Sequence, residues 1–517
     1  MRRAVLERFL QRQQGRHRGR TTGFDRVLFR GIVRSICYVE GLNYFLGNPR
    51  VPFKGFKAFG EKFSAGVRKR VEEIARRAGR PFHYLAASRT DQEKFVREVM
   101  ERDRIEEGLV CVLACVEPCQ SFRVRPNREK RELQLVARER KCLPLYFYMV
   151  NRDFGWMPIR LQTWLPLSIQ VCVNGREWLA RQMQRAGIEY EQPDHCFTSI
   201  ADPERAQARM DRLGEYPWAR WLNRWAQGVN PWLGSKARPQ LRGYSWMVRE
   251  SACATDGMFR SREALAEVYP ALCRQAMEQF SAARVLRFLG RRTNTRFHGE
   301  VCTRLERRVE GICVKHCVEE NSIKRYDKQG SGLRVETTVN QPQRFKLYRR
   351  VTRKGRRVKG WYPLRKGIVD LRRRLQLSRA ANARYLPALA VVGEARPAHR
   401  ILDPVSQPLK EPRPYRALRP ISPEDSHWFT VLLHGEFHLQ GVHNQDLRQP
   451  LMPEAESDPA QRRKAAARVT RQLRLLRAHG LIYREGRTYC YRPTPKGYAL
   501  MGTALRFRQS DLALLAA

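Results

Sequence analysis

The amino-acid sequence predicts a multidomain α+β protein. It has a core containing an antiparallel sheet, a helical insertion within that core, and a separate C-terminal unit of helices with a short hairpin. Three observations carry this expectation. The 517 residues are enough for several domains with real cores. A hydrophobic content of 42% is that of a folded chain. The spacing of apolar residues switches along the chain between strand-like alternation and helical periodicity.

In chain order, residues 1–22 form a basic arm (ending RQQGRHRGRTT) expected to be disordered until it meets phosphate. Residues 23–200 read as the first half of the core. A hairpin-like pair is expected at 24–30 and 32–36 around Gly31, then a helix with a basic outer face at 59–78. Strands follow at 109–116, 133–137, 145–150, 157–164 and 168–173, then a turn at Asn174-Gly175 and a helix at 178–186. Residues 201–290 read as helical, most clearly at 205–213, 218–227 and 262–280. Trp218, Trp221 and Trp225 recur at helical spacing, as a core stripe does. Residues 291–394 return to hairpin-rich strands and end in a basic helix over 363–392, completing the core. Residues 395–420 are rich in proline and read as an extended linker before the last unit, 421–517.

Lysine and arginine number 99 against 51 acidic residues, a net charge of +48. So large an excess repels itself unless a polyanion supplies counter-charge. Counterion release then gives even sequence-blind binding a Kd of roughly 10⁻⁴ to 10⁻⁶ M at physiological salt. Most of the charge is arginine, which forks phosphate and stacks on bases better than lysine. Nucleic acid is therefore the expected partner. A membrane is not, since no run approaches the ~20 apolar residues of a spanning helix. No apolar leader follows Met1-Arg2-Arg3, and the 13 cysteines read as reduced core thiols, so a bacterial-type cytoplasmic protein is expected.

The last unit is the most legible. SPEDSHWFTVLLH (422–434) opens a helix with Ser, Pro, Glu and Asp, and 442–447 leads into a shorter one. Residues 461–479 form a long helix with Val469, Leu473 and Leu476 on one side and Arg462, Arg463, Lys464, Arg468, Arg471 and Arg474 elsewhere, stopped by Gly480. Residues 481–484 and 488–491 flank Glu485-Gly486-Arg487 as a hairpin with a basic tip, and Pro495-Lys496-Gly497 starts a final helix. The segment resembles winged helix-turn-helix domains of bacterial regulators of the MarR and ArsR type. The resemblance implies a helix in a major groove and a wing along the backbone, with Arg463, Lys464, Arg468, Arg471, Arg474, Arg484 and Arg487 as nucleic-acid contacts.

Within the core, NSIKRYDKQGSGLRVETTVN (321–340) places two strand-like runs around Gln329-Gly330-Ser331-Gly332. A loop of two or four residues sets Asp327 opposite Arg334 and Arg325 opposite Glu336. That is a ladder of ion pairs worth about 0.2–1 kcal/mol each, with Tyr326 among Leu333 and Val335. An odd loop with a bulge at Gly330 or Gly332 instead puts Tyr326 beside Glu336. The pair Tyr326-Asp327-Lys328 and Arg334-Val335-Glu336, with Asp25 on an earlier strand, resembles phage and plasmid rolling-circle replication initiators. That resemblance implies Tyr326 as nucleophile, Asp25 and Glu336 as ligands of Mg²⁺ or Mn²⁺, and Lys328 and Arg334 neutralising charge at phosphate. The chain departs from that family in lacking its histidine-hydrophobe-histidine motif, since His195, His298 and His316 stand apart.

Three lesser candidates remain. Cys111, Cys115, Cys119 and Cys142 lack the spacing of a zinc knuckle and read as core thiols. Asp256 with Glu250 reads either as an acid pair or as a helix N-cap. The basic stretch 291–299, with Arg291, Arg292 and Arg296 beside Phe297, reads as a phosphate contact or a solvated turn. No Walker or dinucleotide-binding pattern occurs. The expected function is thus a nucleic-acid-binding protein of the mobile-element or replication type, DNA being favoured. The alternatives are a non-enzymatic partner of a structured RNA and a transcription regulator.

Overall fold

The computed structural model describes residues 17–509, apart from 86–91, 194–195, 235–238, 279, 292–296, 298, 309–310, 329, 331, 354, 390–397, 410–413, 434–440, 457 and 487. Two compact units divide the chain. Met1–Pro270, Phe288–Gly290 and Thr303–Ala388 form the first; Ala271–Arg287, Arg291–Cys302 and Leu389–Ala517 form the second. The architecture mixes helix and strand, and among the described residues eleven strands make one large sheet.

Strands β1 (His17–Ile32), β2 (Phe82–Leu85), β3 (Gly108–Cys115), β4 (Glu117–Asn127), β5 (Glu132–Cys142), β6 (Pro144–Asn151), β7 (Gly155–Gln162) and β8 (Ile169–Asn174) come first. After β9 (Tyr190–Glu191) and β10 (Ser199–Ile200) follow β11 (Ser245–Phe259), β12 (Val301–Arg308), β13 (Gly311–Val318), β14 (Asn321–Lys328), β15 (Gly332–Val339), β16 (Lys346–Arg353) and β17 (Arg356–Pro363). The large sheet runs β12-β13-β14-β15-β11-β1-β8-β7-β6-β3-β2. Its pairings from β13 to β3 are antiparallel, and β2 joins β3 in parallel.

Several strands differ from the sequence expectation: β2 and β4 fall outside every expected strand, and β1 and β11 depart in kind. The expected hairpin at 24–36 is instead the end of one strand, β1, followed by a 3₁₀ turn at Arg34–Ile36; β1 also takes in residues 17–22 of the expected arm, and residues 1–16 lie outside the described residues. Gly31 does not turn the chain. A Cβ there would stand 2.6 Å from Ile169 and 3.0 Å from Trp246, so glycine allows close packing. Inside the region read as helical lies β11, a central strand buried on both faces over residues 251–256. Such a strand has no polar-apolar alternation to betray it.

The first unit's helices are α1 (Val39–Gly47), α2 (Phe56–Arg77), α3 (Gln92–Arg102), α4 (Gly175–Arg185), α5 (Pro203–Arg212) and α6 (Trp218–Val229). Further on, α7 (Arg262–Glu278) runs from the first unit into the second, α8 (Ala282–Phe288) belongs to the second except for Phe288, and α9 (Leu371–Leu389) belongs to the first except for Leu389. α2 buries Phe59, Phe63, Val67 and Val71, at fourfold spacing, in one core with Phe24, Val27, Phe29, Ile159 and Val171 of the sheet. Trp218 is buried in that core, with Trp221 and Trp225 packed against it. Asn174-Gly175 caps a helix rather than turning the chain: the Asn174 side chain accepts from the N–H groups of Arg176 and Glu177.

The second unit holds α10 (Ala398–Leu402), α11 (Pro423–Leu432), α12 (Asn444–Leu451), α13 (Pro459–Ala478), β18 (Ile482–Arg484), β19 (Tyr491–Pro493) and α14 (Pro495–Gln509). The described part of 395–420 is no extended linker. Leu402, Val405 and Leu418 are buried with Phe429, Val469, Leu473 and Leu476. Buried Asp425 holds this segment by accepting from Arg416 Nη2 at 2.7 Å and Arg419 N at 2.7 Å. The hairpin's second strand begins at Tyr491, later than expected, and Val442 bridges to Tyr491 as a third strand position. Among the described residues no helix is long and apolar enough to cross a membrane.

Candidate functional site

The β14–β15 hairpin takes the odd register. Lys328 pairs with Gly332, Tyr326 with Arg334 and Lys324 with Glu336, across a turn in which Gly330 has φ +75°. Lys324, Tyr326, Lys328, Arg334 and Glu336 therefore share one face. Tyr326 Oη donates to Glu336 Oε2 at 2.9 Å. The alternative ladder of ion pairs does not form. Asp327 instead accepts from the Ile312 N–H at 2.8 Å, and Arg325 turns to the opposite face. There Arg325 is fully buried over the Tyr269 ring at 5.1 Å, and among the described residues its guanidinium has no hydrogen-bond acceptor.

On the hairpin's polar face the sheet gathers charges from distant parts of the chain. β11 pairs with β15 so that Asp256 stands beside Arg334, and β1 pairs with β11 on its other side. A bulge between Phe24 and Arg26 inserts Asp25 and aims it at the same face. Arg334 then donates to Asp256 through Nε at 2.6 Å and to Asp25 through Nη1 at 2.9 Å. Arg176, at the start of α4, reaches Asp256 at 3.0 Å, Asp25 at 3.6 Å and the Ala254 carbonyl at 2.9 Å. Glu336 is 3.1 Å from Lys324 Nζ and accepts from Thr338 as well as Tyr326. All the hairpin and Asp25 residues singled out from sequence thus meet. Arg176 and Lys324 were missed, and Asp256 was read in another role.

Burial alone would raise the Asp25 carboxyl, but Arg334, Arg176, Lys328 and Lys324 hold it below the ordinary carboxylate range. Arg334 is desolvated, yet Asp256 and Asp25 keep its guanidinium charged. Burial, reinforced by the Glu336 carboxylate, pushes the Tyr326 phenol well above its ordinary value. The Tyr326–Glu336 contact has the geometry of a hydroxyl facing a base, while the surroundings favour the protonated phenol. Asp25 and Glu336 are already matched to cationic side chains, and among the described residues no group of three or more His, Cys, Asp or Glu is placed to hold a metal ion. This donor set does not fit Mg²⁺ or Mn²⁺, which needs several uncommitted oxygens.

The lesser candidates take structural places. Glu250 pairs with exposed Arg26, and Asp256 sits on a strand, so the two form neither an acid pair nor an N-cap. Cys111, Cys115, Cys119 and Cys142 are buried free thiols, with Arg160 Nη2 3.1 Å from Cys119 Sγ. His316 is buried between Thr303 and Tyr385, and burial with nearby Arg325 lowers it to about 3. Arg291 lies over Phe297 at 5.0 Å. Arg292, Arg296, Arg487, His195 and His298 lie outside the described residues.

In the second unit α13 starts at Asp458, whose side chain accepts from the Ala460 N–H at 3.0 Å, and stops at Gly480 with φ +72°. Asn444 of α12 ties the two helices together, donating to the Ala466 carbonyl and to Thr470 Oγ1, each at 2.9 Å. Burying Val469, Leu473 and Leu476 turns Arg463, Lys464, Arg468, Arg471 and Arg474 outward, and all five are exposed. Among the described residues none of these five has an ion-pair partner. On the hairpin, Arg484 lies over the ring of Tyr489, which is 74% exposed. No family model, curated protein or solved structure matches the chain.

Two outcomes are expected from the first unit. Arg334→Ala strands two carboxylates and should cost about 3–5 kcal/mol in denaturant unfolding, whereas Tyr326→Phe should cost only about 0.5–1.5 kcal/mol. Equal small losses would remove the ion network from the core's energetics. His316, depressed to about 3 when folded, takes up a proton only in the unfolded chain as pH falls below about 6.5. Its contribution is complete above that pH and is lost on acidification. His316→Gln should therefore flatten the decline of melting temperature between neutral and mildly acidic pH.

Proposed function

We propose that this is a DNA-binding protein whose C-terminal unit is a winged helix-turn-helix, with α13 as the major-groove helix and the β18–β19 hairpin as the wing. α13 carries the proposal. Its 20 residues include seven basic side chains and no acidic one. Lys464, Arg468 and Arg471, at i, i+4 and i+7, share one exposed stripe. Like charges at that spacing destabilise an isolated helix by about 0.2–0.5 kcal/mol per pair, a repulsion that phosphate relieves. The element order supports the same reading: a helix, the Val442 bridge, two helices tied by Asn444, a hairpin and a closing helix.

The proposal extends to strand processing at the β14–β15 hairpin, supported by the hydrogen bond from Tyr326 to Glu336. Attack by the Tyr326 oxygen on a phosphodiester, with Glu336 taking the phenol proton, would form a phosphotyrosine and break one P–O bond to deoxyribose, and the leaving oxygen would depart as a free hydroxyl on receiving that proton from Glu336.

Arg468→Ala and Arg471→Ala should each weaken binding to a preferred duplex by about 1–3 kcal/mol and reduce the salt dependence of binding. Equal losses on every sequence would confine these residues to phosphate contact, and no loss would remove α13 from the interface. Nucleic acid copurifying from low-salt lysate as one structured RNA would replace the DNA assignment. For cleavage, single-stranded DNA is assayed with and without Mg²⁺ or Mn²⁺. Tyr326→Phe and Glu336→Gln should each abolish nicking while binding survives, and unchanged nicking in both variants would rule the hairpin out.

A further inference from the structure

One surface of the first unit takes no part in the sites above. β16 and β17 form a two-stranded ribbon outside the large sheet, paired from Lys346↔Pro363 to Arg353↔Arg356. In this register Tyr348 lies opposite Trp361 and Arg350 opposite Lys359, with Lys346 and Arg357 on the same face. All six side chains are exposed, Tyr348 by 62% and Trp361 by 67%, and the two rings sit 5.6 Å apart between centroids. No acidic residue occurs between 345 and 369. Among the described residues none of the four cations has an ion-pair partner.

The ribbon's root, by contrast, is fixed. Asp370 accepts from Arg349 Nη1 and from the Arg365 N–H, each at 2.8 Å, and the Leu364 N–H donates to the Phe345 carbonyl at 2.8 Å. The Val248 N–H donates to the Lys366 carbonyl at 2.8 Å, joining the root to β11. On the opposite face Leu347, Val351 and Tyr362 are half-buried, while Val358 towards the tip is exposed. A rigid base thus carries an aromatic pair held in water among unpaired cations. Large rings are the side chains that gain most from burial, so a ligand that covers both rings and neutralises their neighbours suits this face.

We infer that the β16–β17 ribbon binds single-stranded DNA, with unpaired bases stacking on Tyr348 and Trp361 and phosphates meeting Lys346, Arg350, Arg357 and Lys359. Stacking on aromatic side chains needs base faces that a duplex keeps within its own stack. A protein partner would need an acidic surface with apolar pockets, whereas a single strand supplies π-faces and negative charge in one repeating unit. The choice of DNA rests on the proposed function above, and strand processing would require such a platform.

The test uses the full-length protein and fluorescence anisotropy with a labelled oligothymidylate of about 20 nucleotides, at ~0.1 M salt. The double variant Tyr348→Ala, Trp361→Ala should bind it about tenfold or more weakly, with duplex binding and melting temperature unchanged. The variant Tyr348→Phe, Trp361→Phe should keep most of the affinity. Arg468→Ala with Arg471→Ala should show the reverse pattern, losing duplex and keeping oligothymidylate. If only that last result fails, the α13 assignment falls and the ribbon stands. Wild-type affinity for oligothymidylate in the double alanine variant would overturn the inference. Tighter binding of oligouridylate than of oligothymidylate would overturn its assignment to DNA.

Discussion

The first unit is organised around the Arg334 guanidinium, buried in the middle of the sheet and matched by a carboxylate on either side. Arg334 is 1% exposed and lies between Asp256 and Asp25, with Arg176 closing the set from α4. An ion taken out of water costs several kcal/mol, which only well-placed partners offset. The four groups come from β15, β11, β1 and α4, so the network forms only when those elements stand in one register. A slip of one residue in β15 would carry Arg334 to the opposite face and leave both aspartates buried without it. The bulge at Asp25 belongs to the same network, because it delivers a second carboxylate where regular alternation has one.

That register also decides what the hairpin can do. It brings Tyr326 to Glu336 and Glu336 to Lys324, so the features that suggest chemistry and those that suggest an ion network are the same contacts. Across the molecule, acids are drawn inward to hold arginines. Asp256 holds Arg334 and Arg176, Asp370 holds Arg349 and Arg365, and Asp425 holds Arg416. With 51 acids against 99 bases, carboxylates committed to internal pairs are not available to the surface. The excess appears where elements carry no acid at all, on α13 and on the β16–β17 ribbon. The net charge is therefore patterned: carboxylates match it around Arg334, Arg349, Arg365 and Arg416 and leave it unmatched on the exposed side chains of α13 and the ribbon.

Much of the framework was legible because its periodicity is one-sided. Residues 59–78, 205–213, 218–227 and 262–280 each show one apolar face, and each corresponds to a helix. Strands at 145–150, 157–164 and 168–173 were marked by turn residues and found close to those bounds. β11 was hidden because small and apolar residues fill both of its faces, and β1 because Gly31 signals a turn when its role is close packing. At the hairpin, everything hung on the parity of one loop, which composition does not set. Asp256 and Arg176 could not be found as partners of Arg334, since 78 and 158 residues separate them from it and only sheet order brings them together.

α13 and the ribbon, both acid-free, differ in a way that bears on what each can hold. α13 presents cations on a helix whose exposed face has no aromatic residue, so it offers charge and hydrogen-bond donors at fixed spacing. A duplex, with its phosphates outside and its base edges in a groove, matches that supply. The ribbon presents cations around an aromatic pair on a flat face. Its rings have nothing to stack on in a closed duplex and much to gain from a strand whose bases are turned out. On the proposed DNA-binding reading, a protein carrying both kinds of surface would suit DNA that is paired in one stretch and open in another, as it is wherever one strand is being separated from or rejoined to its complement.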